Sequence, residues 1–471
     1  MFATNPQRAL ELNRRTFLEN SFAGLGSMAF AAMAAQRASG GEAWPAYYGD
    51  GLPHPAKIKN VIHLCMAGGP SHMDTFDPKP ELTKLDGKPF PESFTKGQQL
   101  AQLQGKTLTA RGSILKFKKH GESGLEFAEN FEHMSKVADD LCILRGMHTE
   151  QINHDPAHAF MNTGSIIKGR PCMGSWTLYG LGAETEDLPG YVVLMSGGGQ
   201  PVSSQQWSAG FLPSRFQGVQ FQSQGDAVHY VGNPDGVCQS TQRQVIDEVK
   251  HLNGLQTGHV IDRELEARIS QYEMAFRMQT SVPELTDISS EPDHIKEMYG
   301  VKDGASEYQS NCLLARRLVE RGVRFVQLYH RGWDHHGNID RDIKARIEDV
   351  DQASAALIAD LKQRGLLDET LVIWGGEFGR TPMGQGTGRD HHINAFSLVL
   401  AGGGIKPGHI HGATDELGYN AIAGRTSVHD LHATMQHLCG IEPHGFTHKF
   451  QGLDFKLTGV EGGKVIKDII A

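Results

Sequence analysis

Six short apolar runs punctuate the chain: "KNVIHLCM" at 59–66, "LCILRG" at 141–146, "YVVLM" at 191–195, "VRFVQLY" at 323–329, "TLVIWG" at 370–375 and "FSLVLAGG" at 396–403. Their length and β-branched content predict strands, and the segments between them carry the 3.6-residue spacing of amphipathic helices. Two such segments are especially legible. "SEYQSNCLLARRLVERG" (306–322) closes on Arg321 and Gly322 and runs straight into the fourth strand, and "DIKARIEDVDQASAALIADLKQRG" (342–365) closes on Gly365 before the fifth. Strand, helix, strand is the signature of an α/β protein built on a largely parallel sheet. Between about 196 and 300 the pattern breaks into Gly, Gln and Ser clusters followed by a helical stretch at 262–279, predicting an insertion or cap on one domain, since no clean linker separates it.

The polar residues are not scattered evenly over this frame. "GGPSHMD" (68–74), "MHTEQINHDPAH" (147–158), "HRGWDHHGN" (330–338) and "GEFGR" (376–380) each follow the end of a predicted strand. In an open parallel sheet those carboxyl ends share one edge, where ligand sites collect. Clusters far apart in sequence are therefore expected to converge.

Composition narrows the chemistry. With 39% hydrophobic and 21% charged residues the chain is globular, and a formal charge of −9 gives it no basic footprint, which removes nucleic acid as a partner. Its 24 histidines are an excess that points to metal or proton chemistry. Six widely spaced cysteines form no CxxC pair, so neither a thiolate zinc site nor a dense disulfide framework is expected; Cys65, Cys142 and Cys312 lie in apolar runs and read as core residues. Near the N-terminus, Arg14 and Arg15 precede a mildly apolar Gly/Ala-rich stretch ending near Ala35. That stretch is too short for a stable membrane span, and "RRTFL" resembles a twin-arginine export signal. Residues 1–38 are accordingly expected to be a signal peptide read by the twin-arginine export machinery, with the mature protein periplasmic or extracellular.

Asp74, Asp334, His336, Glu377, His391 and His392 together offer carboxylate and imidazole ligands without thiolate. This mix suits zinc, manganese or iron, and calcium less well, and one or two divalent ions would relieve the repulsion among three clustered carboxylates. Adjacent side chains on extended backbone point apart, so one histidine of His335/His336 is a direct ligand, taken as His336, and the same reasoning applies to His391/His392. Arg380 offers a bidentate brace for an oxyanion or an ordinary ion pair.

The stretches "GGPSHMDTFDPKP", "NHDPAHAFMNTGSIIKGRPCMGSW", "NCLLARRLVERGVRFVQLYHRGWDHHGN", "DETLVIWGGEFGRTP" and "GRDHHINAFSLVLAGGGIKPG" resemble the exported, sulfatase-like bacterial proteins grouped as domain of unknown function 1501, in the alkaline phosphatase superfamily. The resemblance runs from about residue 57 to 471. It implies a doubly wound α/β fold with metal ligands after successive strands in the order Asp, nucleophile, Asp with His, Asp-His, His. Asp74 fits the first place, Asp334 and His336 the third, Glu377 the fourth and His391 or His392 the last. Phe378 stands where that order has a histidine after the fourth-place acid. For the nucleophile the implied position offers Thr149, with Ser71 as rival. Formylglycine chemistry is excluded at the nearest motif, "FLPSR" (211–215), where Phe211 occupies the reactive position. The resulting expectation is a metal-dependent hydrolase of a phosphate or sulfate ester, small-molecule or glycan. Its alternative is an inactive binding protein of the same fold that recognises a sulfated or phosphorylated glycan.

Overall fold

The computed structural model describes residues 47–48, 51–98, 100–199, 202–222, 227–228, 238, 240–245, 247–248, 263–302 and 307–471. The expected signal peptide, residues 1–38, lies outside the described residues, as does much of the 196–300 insertion.

Among the described residues a nine-stranded sheet forms the centre, and the six predicted runs supply six of its strands: β1 (Asn60–Ala67), β2 (Leu141–His148), β3 (Tyr191–Ser196), β5 (Phe325–Arg331), β6 (Thr370–Gly375) and β9 (Phe396–Gly402). Short strands β4 (Val219–Gln220), β10 (His409–His411) and β11 (Thr426–Ser427) extend it, while β7 (Gly379–Gln385) and β8 (Gly388–His392) form a separate hairpin. The order is β10-β2-β9-β6-β1-β5-β3-β4, with β11 also on β2. β1 is central and pairs in parallel with β5 and β6. Only β9 runs against its neighbours, β2 and β6, so those two remain parallel to each other and to β1. The carboxyl ends of β1, β2, β5 and β6 therefore lie along one edge.

Both faces of the sheet are covered, and for this reason its strands read as unbroken apolar runs. Ile62, Leu64 and Met66 of β1 join one apolar layer together with Leu318, Val350 and Leu357 from helices α5 (Glu307–Glu320) and α6 (Ile339–Gln363). Val61, Cys65 and Ala67 join the other with α2 (His154–Thr163), α3 (Met173–Leu181) and α7 (Val428–Leu438). The helical stretch beginning near 262 is Arg263–Thr286, labelled α4, and α1 is the single turn His72–Thr75. All six cysteines are free, and Cys65, Cys142 and Cys312 are buried as the sequence predicts. Among the described residues no helix is long and apolar enough to cross a membrane.

On the second face a polar strut crosses the apolar layer. Gln327 of β5 donates from Nε2 to Asn162 Oδ1 (2.5 Å) and to His63 Nδ1 (3.1 Å), and accepts from the Tyr191 hydroxyl. Burial holds His63 down at about 3, so its ring is neutral and free to accept. Because an unmade buried hydrogen bond is costly, this network fixes α2 in register on the sheet and so sets where its first turn projects.

Candidate metal centre

The first turn of α2 reaches the carboxyl edge, where its histidines meet the loops after β5 and β6. Among the described residues two groups of metal-ligand type result: His154, Asp334, His336 and His391 in one, His154, His158 and Glu377 in the other, with the donor atoms of each group within 4.8 Å of one another. His154 belongs to both. Its Nε2 is 3.2 Å from Asp334 Oδ1, and its Nδ1 donates to Glu377 Oε1 at 2.7 Å. Asp334 Oδ1 is also 2.9 Å from His336 Nε2 and 3.2 Å from His391 Nε2, while His158 Nε2 is 3.3 Å from Glu377 Oε1.

Glycine is demanded where these loops cross. Gly68, directly after β1, has φ +121°, and a Cβ there would sit 2.4 Å from Asp334 N. Its N–H donates to both oxygens of Glu377, at 3.1 and 3.2 Å. The close approach lets one backbone amide orient the Glu377 carboxylate while the same residue abuts the Asp334 loop.

The ring tautomers decide whether a cation fits. The Ile152 carbonyl can only accept, so His391 Nδ1 carries the proton of their 2.7 Å bond. Gln385 Nε2 donates to Gln102 Oε1 (2.7 Å), which leaves Gln385 Oε1 to accept from His336 Nδ1. In the neutral rings both Nε2 lone pairs then face each other across 2.9 Å and face Asp334 Oδ1 as well. Three lone-pair donors aimed at one small volume repel unless a cation lies among them, and outer partners that fix the tautomer are the usual company of metal-binding histidines. The residues fit a divalent ion. Gln385→Leu is therefore expected to weaken metal binding by about 10–100-fold while leaving the fold intact, as read by titration with a competing chelator.

Without a metal, protons do the neutralising. Burial opposes charge on His154, yet hydrogen bonds to Asp334 and Glu377 raise it to about 9. Burial likewise opposes ionisation of Glu377, but the neighbouring His158 and His154 hold it at about 2. Asp334 is kept far below the usual carboxylate range, against burial, by the hydrogen bond from His154 and the charge of Arg380. His158 and His391 are pushed down by burial. The stability that His154 contributes is complete below its ordinary 6.5 and is lost as pH rises through about 9; that of Glu377 is present above 4.5 and is lost as pH falls through about 2. The melting temperature of the metal-free chain is thus expected to fall between pH 6.5 and 9. Metal binding at neutral pH should release about one proton, detectable as a buffer-dependent heat in calorimetry.

Of the residues expected at the site, the structure brings together Asp334, His336, Glu377 and His391. Asp74 and His392 are placed elsewhere. The Asp74 carboxylate is gripped by Arg389 (2.7 and 3.1 Å), the Ser71 hydroxyl (2.6 Å) and the amide of Ile114 (2.8 Å). His392, on the opposite face of β8 from His391, has Nε2 bonded to the Tyr419 carbonyl. Arg380 is fully buried, and every nitrogen of its guanidinium is used: Nε on Gly69 O (3.0 Å), Nη1 on Arg389 O (3.2 Å), Nη2 on Gly68 O and on Asp334 Oδ1 (2.6 Å). In this arrangement it is an ion-pair partner of Asp334 that ties the loops together. Ser71 is likewise committed, to Asp74. Thr149 lies five residues before α2, its hydroxyl buried and without a hydrogen-bond partner. His335 is buried beside the site and its ring joins neither group. His154 and His158 were not among the expected ligands, although "HDPAH" spaces two histidines at i and i+4, one face of a helix.

A mainly parallel α/β sheet with an imidazole–carboxylate centre at its carboxyl edge defines the class of this protein. The chain belongs to the family described as protein of unknown function DUF1501, whose model matches residues 58–470. No curated protein matches it. Among solved structures it is similar to Ps i-CgsB in complex with k-i-k-neocarrahexaose, at 11% identity and TM-score 0.37 over 81% of this chain and 72% of that one. It is also similar to the PsFucS1 sulfatase from Pseudoalteromonas sp. (13%, TM-score 0.36, 87% and 73%) and to the phosphonate monoester hydrolase SpPMH from Silicibacter pomeroyi (13%, TM-score 0.27, 68% and 71%).

Proposed function

We propose that this protein is an exported, metal-dependent hydrolase of a phosphate or sulfate ester. The observation that carries the reading is the convergence of His154, Asp334, His336 and His391 beside His158 and Glu377, with His154 in both groups. Divalent zinc or manganese suits these donors. When bound, such an ion polarises an ester oxygen and acidifies a water molecule. The chain's own part is to hold the ligands. Ile152 and Gln385 fix the two Nε2 lone pairs, Gly68 fixes Glu377, and Arg380 keeps Asp334 ionised and aimed. Thr149 is the hydroxyl left for a covalent step, and its buried oxygen has no competing partner to hold it.

A second reading, a binding protein of this fold without turnover, is favoured by one observation: the Arg380 donors and the Ser71 hydroxyl are spent inside the protein. One experiment separates the two. Purified protein is analysed for metal and then offered aryl phosphates, aryl sulfates and sulfated oligosaccharides with added zinc, manganese or calcium. The hydrolase reading expects about one or two ions per chain and turnover that Glu377→Ala lowers together with occupancy. Saturable glycan binding without turnover would establish the second reading, and full metal retention in Glu377→Ala would remove Glu377 from the centre.

A further inference from the structure

Exposed large apolar side chains are few among the described residues: Tyr47, Ile166, Ile167, Ile422, Phe450, Leu453 and Val460. Five of these seven fall on two neighbouring segments, the connection after α2 (164–170) and the C-terminal stretch 448–460 that contains the hairpin His448–Phe450/Leu453–Phe455. The segments are in contact. Gly164 and Gly459 both abut the His429 ring, and the Arg170 guanidinium lies 3.9 Å over the Phe455 ring. Beneath the hairpin, Phe211 stacks on Phe450 at 5.0 Å and 16° and on His448 at 5.7 Å and 13°, so the protruding tips stand on a firm aromatic base.

The exposures are large, at 52% for Ile166, 59% for Ile167, 62% for Leu453 and 98% for Val460, and hydration of such side chains at adjacent positions is unfavourable enough to mark an interaction surface. Lys168, Arg170, Lys449 and Lys456 lie within the same two segments against Asp454, an excess of three cations in a chain whose formal charge is −9. That combination selects the partner. Protein interfaces are depleted in lysine, whereas aliphatic loop tips among lysines and arginines match the boundary between acyl chains and anionic headgroups. We propose that this face docks the protein on an anionic lipid surface, with Ile166, Ile167 and Leu453 entering the acyl boundary and the four cations meeting the headgroups. The ten-residue helix α2 separates the patch from His154, so docking would hold the metal centre roughly 15 Å away from the contact.

The test uses the full chain carrying Leu453→Trp, whose tip emission is read as the difference from wild type. Vesicles of phosphatidylglycerol and phosphatidylcholine are expected to shift that emission to the blue and to protect the backbone amides of 164–170 and 448–456 from exchange, with the effect fading at high salt. Adding Ile166→Ser and Ile167→Ser should weaken partitioning by at least about tenfold. An unshifted emission on vesicles that do carry the protein would overturn the proposal, because attachment would then run through another segment. So would equal response to pure phosphatidylcholine. A shift that depends on protein concentration in the absence of lipid would assign the face to a second copy and overturn it as well. None of these readouts depends on ester hydrolysis.

Discussion

Asp334→Asn is expected to lower metal affinity by well over about 100-fold and to remove the proposed ester hydrolysis, both measured on the protein that still folds, since the buried Arg380 also loses its carboxylate partner. Asp334 is the only anion in its group, and one of its oxygens lies within 3.2 Å of His154, His336, His391 and Arg380. Asparagine keeps the shape and removes the charge, so the two Nε2 lone pairs lose the anion that makes a divalent ion favourable there. The consequence exceeds the roughly 10–100-fold typical of a partner one step removed from the metal, which is the effect expected of Gln385→Leu. Metal content, measured by mass spectrometry on desalted protein, also counts the ions. If the two groups hold separate ions, Asp334→Asn and Glu377→Ala each leave the other group's metal in place. If His154 serves one shared ion, either variant empties the centre. Unchanged metal content in Asp334→Asn would sink the assignment of this group altogether.

The sheet was legible because its strands are buried on both faces and so announce themselves as apolar runs; β1 is observed at Asn60–Ala67 and was expected at 59–66. The direction of β9 was not legible, since "FSLVLAG" has the same composition whether it runs with or against its neighbours. The site was half legible, and the reason is geometric. Residues on loops directly after strands, such as Asp334 and Glu377, inherit their position from the sheet's edge. His154 and His158 come instead from a helix whose register on the sheet is set by Asn162 and Gln327, a contact between residues far apart in the chain. Pattern alone favoured Asp74 because it follows β1, the first place in the ligand order that the resemblance implies. It gave no sign that Arg389, across a hairpin, would claim that carboxylate first.

That competing claim yields the second large effect. Asp74→Asn is expected to destabilise the fold by about 3–5 kcal/mol while leaving the metal stoichiometry of the folded protein unchanged. Asp74 and Arg389 are both fully buried, and the guanidinium meets the carboxylate through Nε and Nη2 in a two-point contact. Asparagine would leave Arg389 charged in the interior with only carbonyls, those of Arg111, Gly112 and Thr381, to receive it. Those carbonyls already hold the 111–112 segment and the strand β7 against β8, the strand that delivers His391, so the lost ion pair loosens the hairpin rather than removing a ligand. Denaturant melts of metal-loaded protein, read beside metal content, distinguish the two roles. A large fall in stability with full occupancy fits the ion pair, whereas lost metal with an unshifted melt would return Asp74 to the centre.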